Sequence, residues 1–188
     1  MSEELAKWGR EVSGLKVEVL PMPLDFDLLP TPSPVPAEGH ILAVGRLVPE
    51  KGFDILIDAV ARFEESDRPE LVIVGTGPER FSLAERATKA EVKLHLPGAV
   101  PPAELSDWYQ RAQIVAVPSL REGFGLVAAE ASAAGRAVVA SAVGGMPEVV
   151  SHGHSGLLTQ PGNVEELASA LRNVDPQWGA NGPELVSH

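Results

Sequence analysis

Cysteine is absent from the 188 residues, and positive charge is scarce: 15 Lys and Arg stand against 26 Asp and Glu, a formal net charge of −11. Without cysteine there is no disulfide and no cysteine–zinc site, although this leaves the redox compartment undecided. A strongly acidic chain repels the phosphates of nucleic acids and anionic lipids, so neither is expected as a broad-surface partner. No apolar run is long enough to cross a bilayer, so no transmembrane segment is expected. The opening M-S-E-E-L-A-K-W-G has no apolar core behind a basic start, so it does not read as a signal peptide. Nothing points to secretion, and a cytoplasmic location is expected.

What is present is 44% hydrophobic content in a length that suits one globular α/β domain with a sizeable core. Residues 1–36 read as a lead-in, with a short strand at Val17–Leu20 and then a connector holding Pro21, Pro23, Pro30, Pro32, Pro34 and Pro36. Proline at that density forbids regular helix. From residue 37 to 175, short apolar runs alternate with helical patterns. Strands are expected at His40–Gly45, Leu71–Gly75, Val92–Leu96, Ile114–Val117, Ala137–Ala140 and Gly156–Thr159. Helices are expected at Gly52–Phe63, Pro78–Lys89, Pro102–Gln110, Gly125–Ala134 and Val164–Leu171, with a helical turn at Pro147–Val150. Residues 176–188 show no clear period and are expected to be a loosely ordered tail.

Buried-type strands alternating with helices predict an α/β fold, a Rossmann-like parallel sheet with helices on both faces. Ligands of such sheets gather at the carboxyl ends of the strands. Four loops follow strands here: Gly45–Lys51, Gly75–Gly77, Gly98–Val100 and Ser119–Gly125.

The last of these carries the densest information. In R-E-G-F-G-L-V-A-A-E, Arg121 to Glu130, one glutamate lies beside two glycines and a second follows in an alanine-rich helix. A carboxylate in such a helix is costly to bury unless something donates hydrogen bonds to it, and a sugar or ribose does so with its hydroxyls. The helix start offers bare N–H groups to an anion. On the first loop, Arg46 and Lys51 are two cations that can meet on one diphosphate, the guanidinium forking onto two oxygens. A solvated charged loop explains Arg46 and Lys51 equally simply when they are taken alone. Glu122 alone can be a helix N-terminal acid, Gly125 a simple turn residue, and Glu130 an exposed helix residue.

The motif of Glu122 and Glu130 resembles the E-x7-E motif of retaining glycosyltransferases with the GT-B fold, in particular the GT4 family. G-R-L-V-P-E-K-G, Gly45 to Gly52, and S-A-V-G-G-M-P-E-V-V-S-H-G-H-S-G-L-L, Ser141 to Leu158, are similar to two further blocks of that family, in its order and spacing. The resemblance covers roughly residues 15–175 and implies one half of a GT-B fold, the C-terminal domain that binds the nucleotide-sugar donor. It implies hexosyl transfer from a nucleoside diphosphate sugar, UDP- or GDP-linked, to an acceptor hydroxyl with retention. A missing N-terminal domain would bind the acceptor. The chain is then an excised domain or an unusually short protein.

By the same resemblance Arg46 and Lys51 neutralise the departing diphosphate. Glu122 contacts hydroxyls of the donor sugar, and these three are the candidate catalytic residues. The backbone of Gly123, Phe124, Gly125 and Leu126 binds sugar and phosphate, and Glu130 binds the ribose 2′- and 3′-hydroxyls. Gly75 and Gly77 lie beside the nucleotide, and the loop Pro97–Val100 contacts the base, which makes Val100 a candidate too. No cofactor and no metal are implied. One departure stands out: P-M-P-L-D, Pro21 to Asp25, replaces the P-N-G-V-D of many members, at the interdomain hinge.

Two other readings compete. The same fold can hold a nucleotide or nucleotide sugar without turnover. An NAD-binding enzyme is the other, from G-T-G-P-E-R, Gly75 to Arg80. Arg80 stands where the dinucleotide fingerprint has its third glycine, and no acid ends a following strand, which disfavours it. His152 and His154 flank Gly153, but no third ligand is near in sequence, so a solvated loop is expected there.

Overall fold

A computed structural model describes residues 11–12 and 29–183. The strand at Val17–Leu20 and the Pro21–Asp25 departure lie outside the described residues. Six strands form one sheet: β1 (His40–Val44), β2 (Leu71–Val74), β3 (Leu94–Gly98), β4 (Ala112–Val117), β5 (Ala137–Ser141) and β6 (Gly156–Thr159). The helices are α1 (Phe53–Val60), α2 (Arg80–Lys89), α3 (Pro102–Arg111), α4 (Leu126–Ala133), α5 (Met146–Val149) and α6 (Val164–Asn173). Neighbouring strands are all parallel, in the order β3-β2-β1-β4-β5-β6.

Alternation along the strands divides the core between two layers. Ile41, Ala43, Leu71 and Ile73 pack with Phe53, Leu56, Leu83, Leu167 and Leu171 of α1, α2 and α6. Leu42, Val72, Val115, Val117 and Val138 pack on the other face with Tyr109, Ala128, Ala131 and Met146 of α3, α4 and α5. The chain builds outward from β1 to β3, returns across the sheet, and builds outward again from β4 to β6. The direction of winding therefore reverses between β1 and β4. A crevice opens where the loops leaving these two strands diverge to opposite faces, at their carboxyl ends.

Two differences from the sequence expectation have physical causes. Strand β3 begins at Leu94 and includes Pro97 and Gly98, which were read as loop. As the edge strand, it has one side free of ladder bonds, where proline's missing N–H does no harm. Residues 176–181 form a 3-10 helix rather than loosely ordered chain. Gly179 lies so close to β5 that a Cβ there would sit 2.2 Å from the Gly135 oxygen and 2.6 Å from the Ala137 nitrogen. The same segment covers α4, since a Cβ on Gly182 would meet the Ser132 oxygen at 2.7 Å. Helix α4 is thus enclosed on more than one side. Its alanines have no amphipathic pattern because hardly any face of it meets water.

Candidate functional site

Two loops meet at the β1/β4 crevice. The first leaves β1 at Gly45, makes a 3-10 turn at Pro49–Lys51 and enters α1 through Gly52. Gly52 is left-handed, with φ 65°, and a Cβ there would lie 2.3 Å from the Pro118 oxygen. Only glycine permits both the conformation and the approach. The second loop runs from Pro118 to Gly125. Its Leu120 N–H donates to the Glu50 oxygen at 2.8 Å, which locks the two loops together.

This locking brings Lys51 to Glu122 across the crevice. The Lys51 Nζ donates to the Glu122 Oε2 at 2.7 Å, with side-chain exposures of 23% and 16%. The Ser119 hydroxyl donates to the same oxygen at 3.4 Å, and the Gly123 N–H to Oε1 at 3.1 Å. Glu122 is therefore held by Lys51 and its own loop, three residues ahead of the helix cap, and is not the N-terminal acid of α4. Arg46 is exposed and makes no ion pair among the described residues.

Beyond Glu122 the chain enters α4 through Gly125, with φ 92°. Among the described residues the N–H groups of Phe124, Gly125, Leu126, Val127 and Ala128 have no hydrogen-bond acceptor. The first turn of a helix leaves such donors free, and here they are gathered beside the Lys51–Glu122 pair. The Glu122–Phe124 segment rests on Gly144 and Gly145. A Cβ on Gly144, which has φ 55°, would lie 1.9 Å from the Glu122 oxygen, and the Gly145 N–H donates to the Gly123 oxygen at 3.2 Å. The G-G-M-P-E block thus acts as a floor for the glutamate loop, a role the sequence did not reveal.

A cavity of about 240 Å³ lies along the carboxyl ends of β1, β2 and β3. Arg46, Gly75, Thr76, Val100 and Leu105 are among its lining residues. Gly75 and Gly77 serve chiefly to bring loops together. Their Cβ atoms would meet the Gly45 oxygen at 1.8 Å and the Leu47 oxygen at 2.3 Å. Gly77 does not line the cavity, whereas Gly75 does.

Glu130 is half-buried on α4, one turn beyond the helix start, and is not an exposed helix residue. The Tyr109 hydroxyl of α3 donates to its Oε2 at 2.6 Å. Burial pushes the Glu130 carboxyl above its ordinary range, and the Tyr109 hydrogen bond works against this. Sequence reasoning passed over Tyr109, whose buried ring reads as ordinary core.

His152 and His154 are exposed, as expected of a solvated loop, and only the His152 ring makes a hydrogen bond among the described residues. The His152 Nδ1 accepts from the Leu158 N–H at 3.0 Å, and the His154 oxygen accepts from Asn181 at 2.7 Å. Among the described residues no group of three or more His, Cys, Asp or Glu is placed to hold a metal ion. Nor is any described helix long and apolar enough to cross a membrane.

The family described as Glycosyl transferases group 1 matches residues 33–174. The chain belongs to this family. It is 40% identical over 167 residues to the D-inositol 3-phosphate glycosyltransferase of Corynebacterium aurimucosum, covering 82% of this chain and 40% of that relative. The sucrose-phosphate synthase of Thermosynechococcus elongatus superposes with a TM-score of 0.83 at 32% identity, over 98% of this chain and 51% of that one. Anabaena Alr3699/HepE, solved in complex with UDP and glucose, superposes with a TM-score of 0.85 at 27% identity, over 99% and 56%. The chain thus spans about two fifths of the curated relative's length. Its sheet is the Rossmann-like unit of GT-B glycosyltransferases, as the sequence led one to expect.

Proposed function

We propose that this glycosyltransferase domain binds the nucleoside diphosphate sugar, and that with a facing acceptor-binding domain it transfers a hexosyl unit to an acceptor hydroxyl with retention. The observation that carries the reading is the Lys51–Glu122 pair at the winding reversal, beside five N–H groups and an Arg46 guanidinium that have no partner among the described residues. In a chain of net charge −11, this is a local site for a compact anion. The complex of Anabaena Alr3699/HepE with UDP and glucose supports the same ligand class.

Each residue then has a chemical task. The N–H groups of Phe124–Ala128 hold the diphosphate by charge-assisted hydrogen bonds. Arg46 and Lys51 stabilise the negative charge that grows on the diphosphate as the glycosidic bond breaks. Lys51 does this by dividing its contact between phosphate and Glu122. Glu122, fixed by Lys51, accepts from hydroxyls of the sugar and orients its anomeric carbon. This is a positioning task rather than nucleophilic attack. Glu130 accepts from the ribose, and the largely apolar cavity beside Arg46 and Val100 takes the base.

Leu120 and Leu126 flank the loop at 40% and 41% exposure. This apolar rim favours a second domain closing over the cleft and excluding water. Thermal shift against UDP, GDP, ADP and NAD tests the reading and identifies the base. Stabilisation by one nucleoside diphosphate is expected, and stabilisation by NAD alone would refute it.

A further inference from the structure

The pair Tyr109–Glu130 lies one helical turn behind the cavity wall. Leu105 of α3 lines the cavity, and Tyr109 follows it at i+4, on the same side of the helix. Glu130 stands one turn inside α4, whose free N–H groups open on the crevice. The two oxygens of Glu130 are treated differently. Oε2 accepts from Tyr109 at 2.6 Å. Oε1 has no hydrogen-bond partner among the described residues, yet it is not among the fully buried unpartnered polar atoms, so it is not sealed from solvent.

Tyr109 is itself rigidly held. Its ring is fully buried, and its backbone oxygen accepts from the Arg136 Nε at 2.8 Å. The Arg136 guanidinium also donates to the Ser33 hydroxyl and to the Pro34 oxygen, the latter at 3.1 Å. The hydroxyl therefore approaches Glu130 from a fixed direction, set by core packing and by the arginine beneath.

We infer that Tyr109 is a positioning residue for nucleotide recognition: its hydroxyl occupies Oε2 of Glu130 and so presents Oε1 alone to the ribose hydroxyls. The inference rests on the donor-binding reading above and adds to it a residue that touches no ligand. A carboxylate with one oxygen committed has lost its freedom to rotate, so the other is aimed before the ligand arrives. The hydroxyl also offsets the burial that disfavours the ionised form of Glu130. Burial raises this carboxyl, and the Tyr109 hydrogen bond lowers it. The phenol stays a donor, because its own burial, with the Glu130 charge, drives its ionisation well above the ordinary range.

The test is Tyr109→Phe, which keeps the buried ring and removes only the donor. Two readouts are taken, on wild type, Tyr109→Phe, Glu130→Gln and the double variant. The first is calorimetric affinity for UDP, GDP and ADP against the 2′,3′-dideoxy forms. Tyr109→Phe is expected to lower the ribose preference about 2- to 10-fold, the worth of one net hydrogen bond. In the Glu130→Gln background it should change that preference no further, since Tyr109 acts through Glu130. The second is the carbon-13 titration of the Glu130 carboxyl without ligand, assigned by its loss in Glu130→Gln. Its midpoint should rise in Tyr109→Phe.

Ribose preference and midpoint both unchanged, with or without lowered stability, would overturn the inference. Equal loss of preference in the wild-type and Glu130→Gln backgrounds would overturn it as well. A wild-type chain that binds none of the three nucleotides would refute the donor reading and the ribose role together. The ligand-free titration would still decide whether the hydroxyl holds the carboxylate.

Discussion

Replacing Lys51 by methionine removes a cation while keeping most of the aliphatic stem. In the donor-binding account two losses follow. The direct contact with the diphosphate disappears, a charge-assisted interaction worth about 1.5–3 kcal/mol. Glu122 is also left without the partner that sits 2.7 Å away, and its negative charge then faces the incoming phosphates. At roughly 5 Å and an effective dielectric near 20, that repulsion is on the order of 1–3 kcal/mol once solvent screening of the partly exposed pair is allowed for. Together the loss is roughly 2.5–6 kcal/mol, about 70- to 25,000-fold in affinity. Arg46→Ala lacks the second component, because Arg46 has no acidic partner among the described residues. It should lose only about 1.5–3 kcal/mol. Adding Glu122→Gln to Lys51→Met should restore the repulsive part, and Glu122→Gln alone should not weaken diphosphate binding. The assay is titration calorimetry with the nucleoside diphosphate and the nucleoside in parallel. Equal losses for both ligands, or no recovery with Glu122→Gln, would refute the reasoning.

Three further outcomes are expected. Gly144→Ala should destabilise the fold by roughly 1–3 kcal/mol and weaken diphosphate binding, because its φ is 55° and the new Cβ would strike the Glu122 oxygen; urea unfolding and calorimetry check both effects. His40 is held neutral below its ordinary value of 6.5, chiefly by burial, with Arg111 and His95 acting the same way and Glu70 opposing. The unfolded chain therefore takes up a proton first as pH falls through about 6.5, so stability should decline below that pH until the folded imidazole also titrates. His40→Leu should flatten that part of a urea-midpoint profile against pH. Finally, if a facing domain holds the acceptor as proposed, the 188 residues alone should bind a nucleotide sugar without transferring it; robust turnover of candidate donors with an acceptor panel would contradict this.

The parts legible in the sequence were those written locally. Gly45–Lys51 and Ser119–Gly125 each follow an apolar strand, so a parallel sheet alone puts both loops at one end. What the sequence could not show was contact between distant segments. Lys51 and Glu122 each stand out within their own loop, but their ion pair spans 71 positions. Tyr109 and Glu130 are 21 apart on different helices, and a buried aromatic gives no sign of where its hydroxyl points. Pro97 and Gly98 were read as loop because the edge position of β3 is a property of the sheet, not of the strand. The segment 176–182 has no period, since Gly179 and Gly182 work by absence of a side chain against β5 and α4.

The central claim is that the diphosphate sits on the start of α4 between Arg46 and Lys51. The most direct measurement is a proton–nitrogen NMR titration of the chain with UDP, GDP and ADP in turn. For the nucleotide that binds, the amides of Phe124–Ala128 should shift most, followed by those of Gly45–Gly52, and the corresponding nucleoside should leave Phe124–Ala128 nearly unmoved. Shifts centred elsewhere, or equal shifts with nucleoside and diphosphate, would contradict the account.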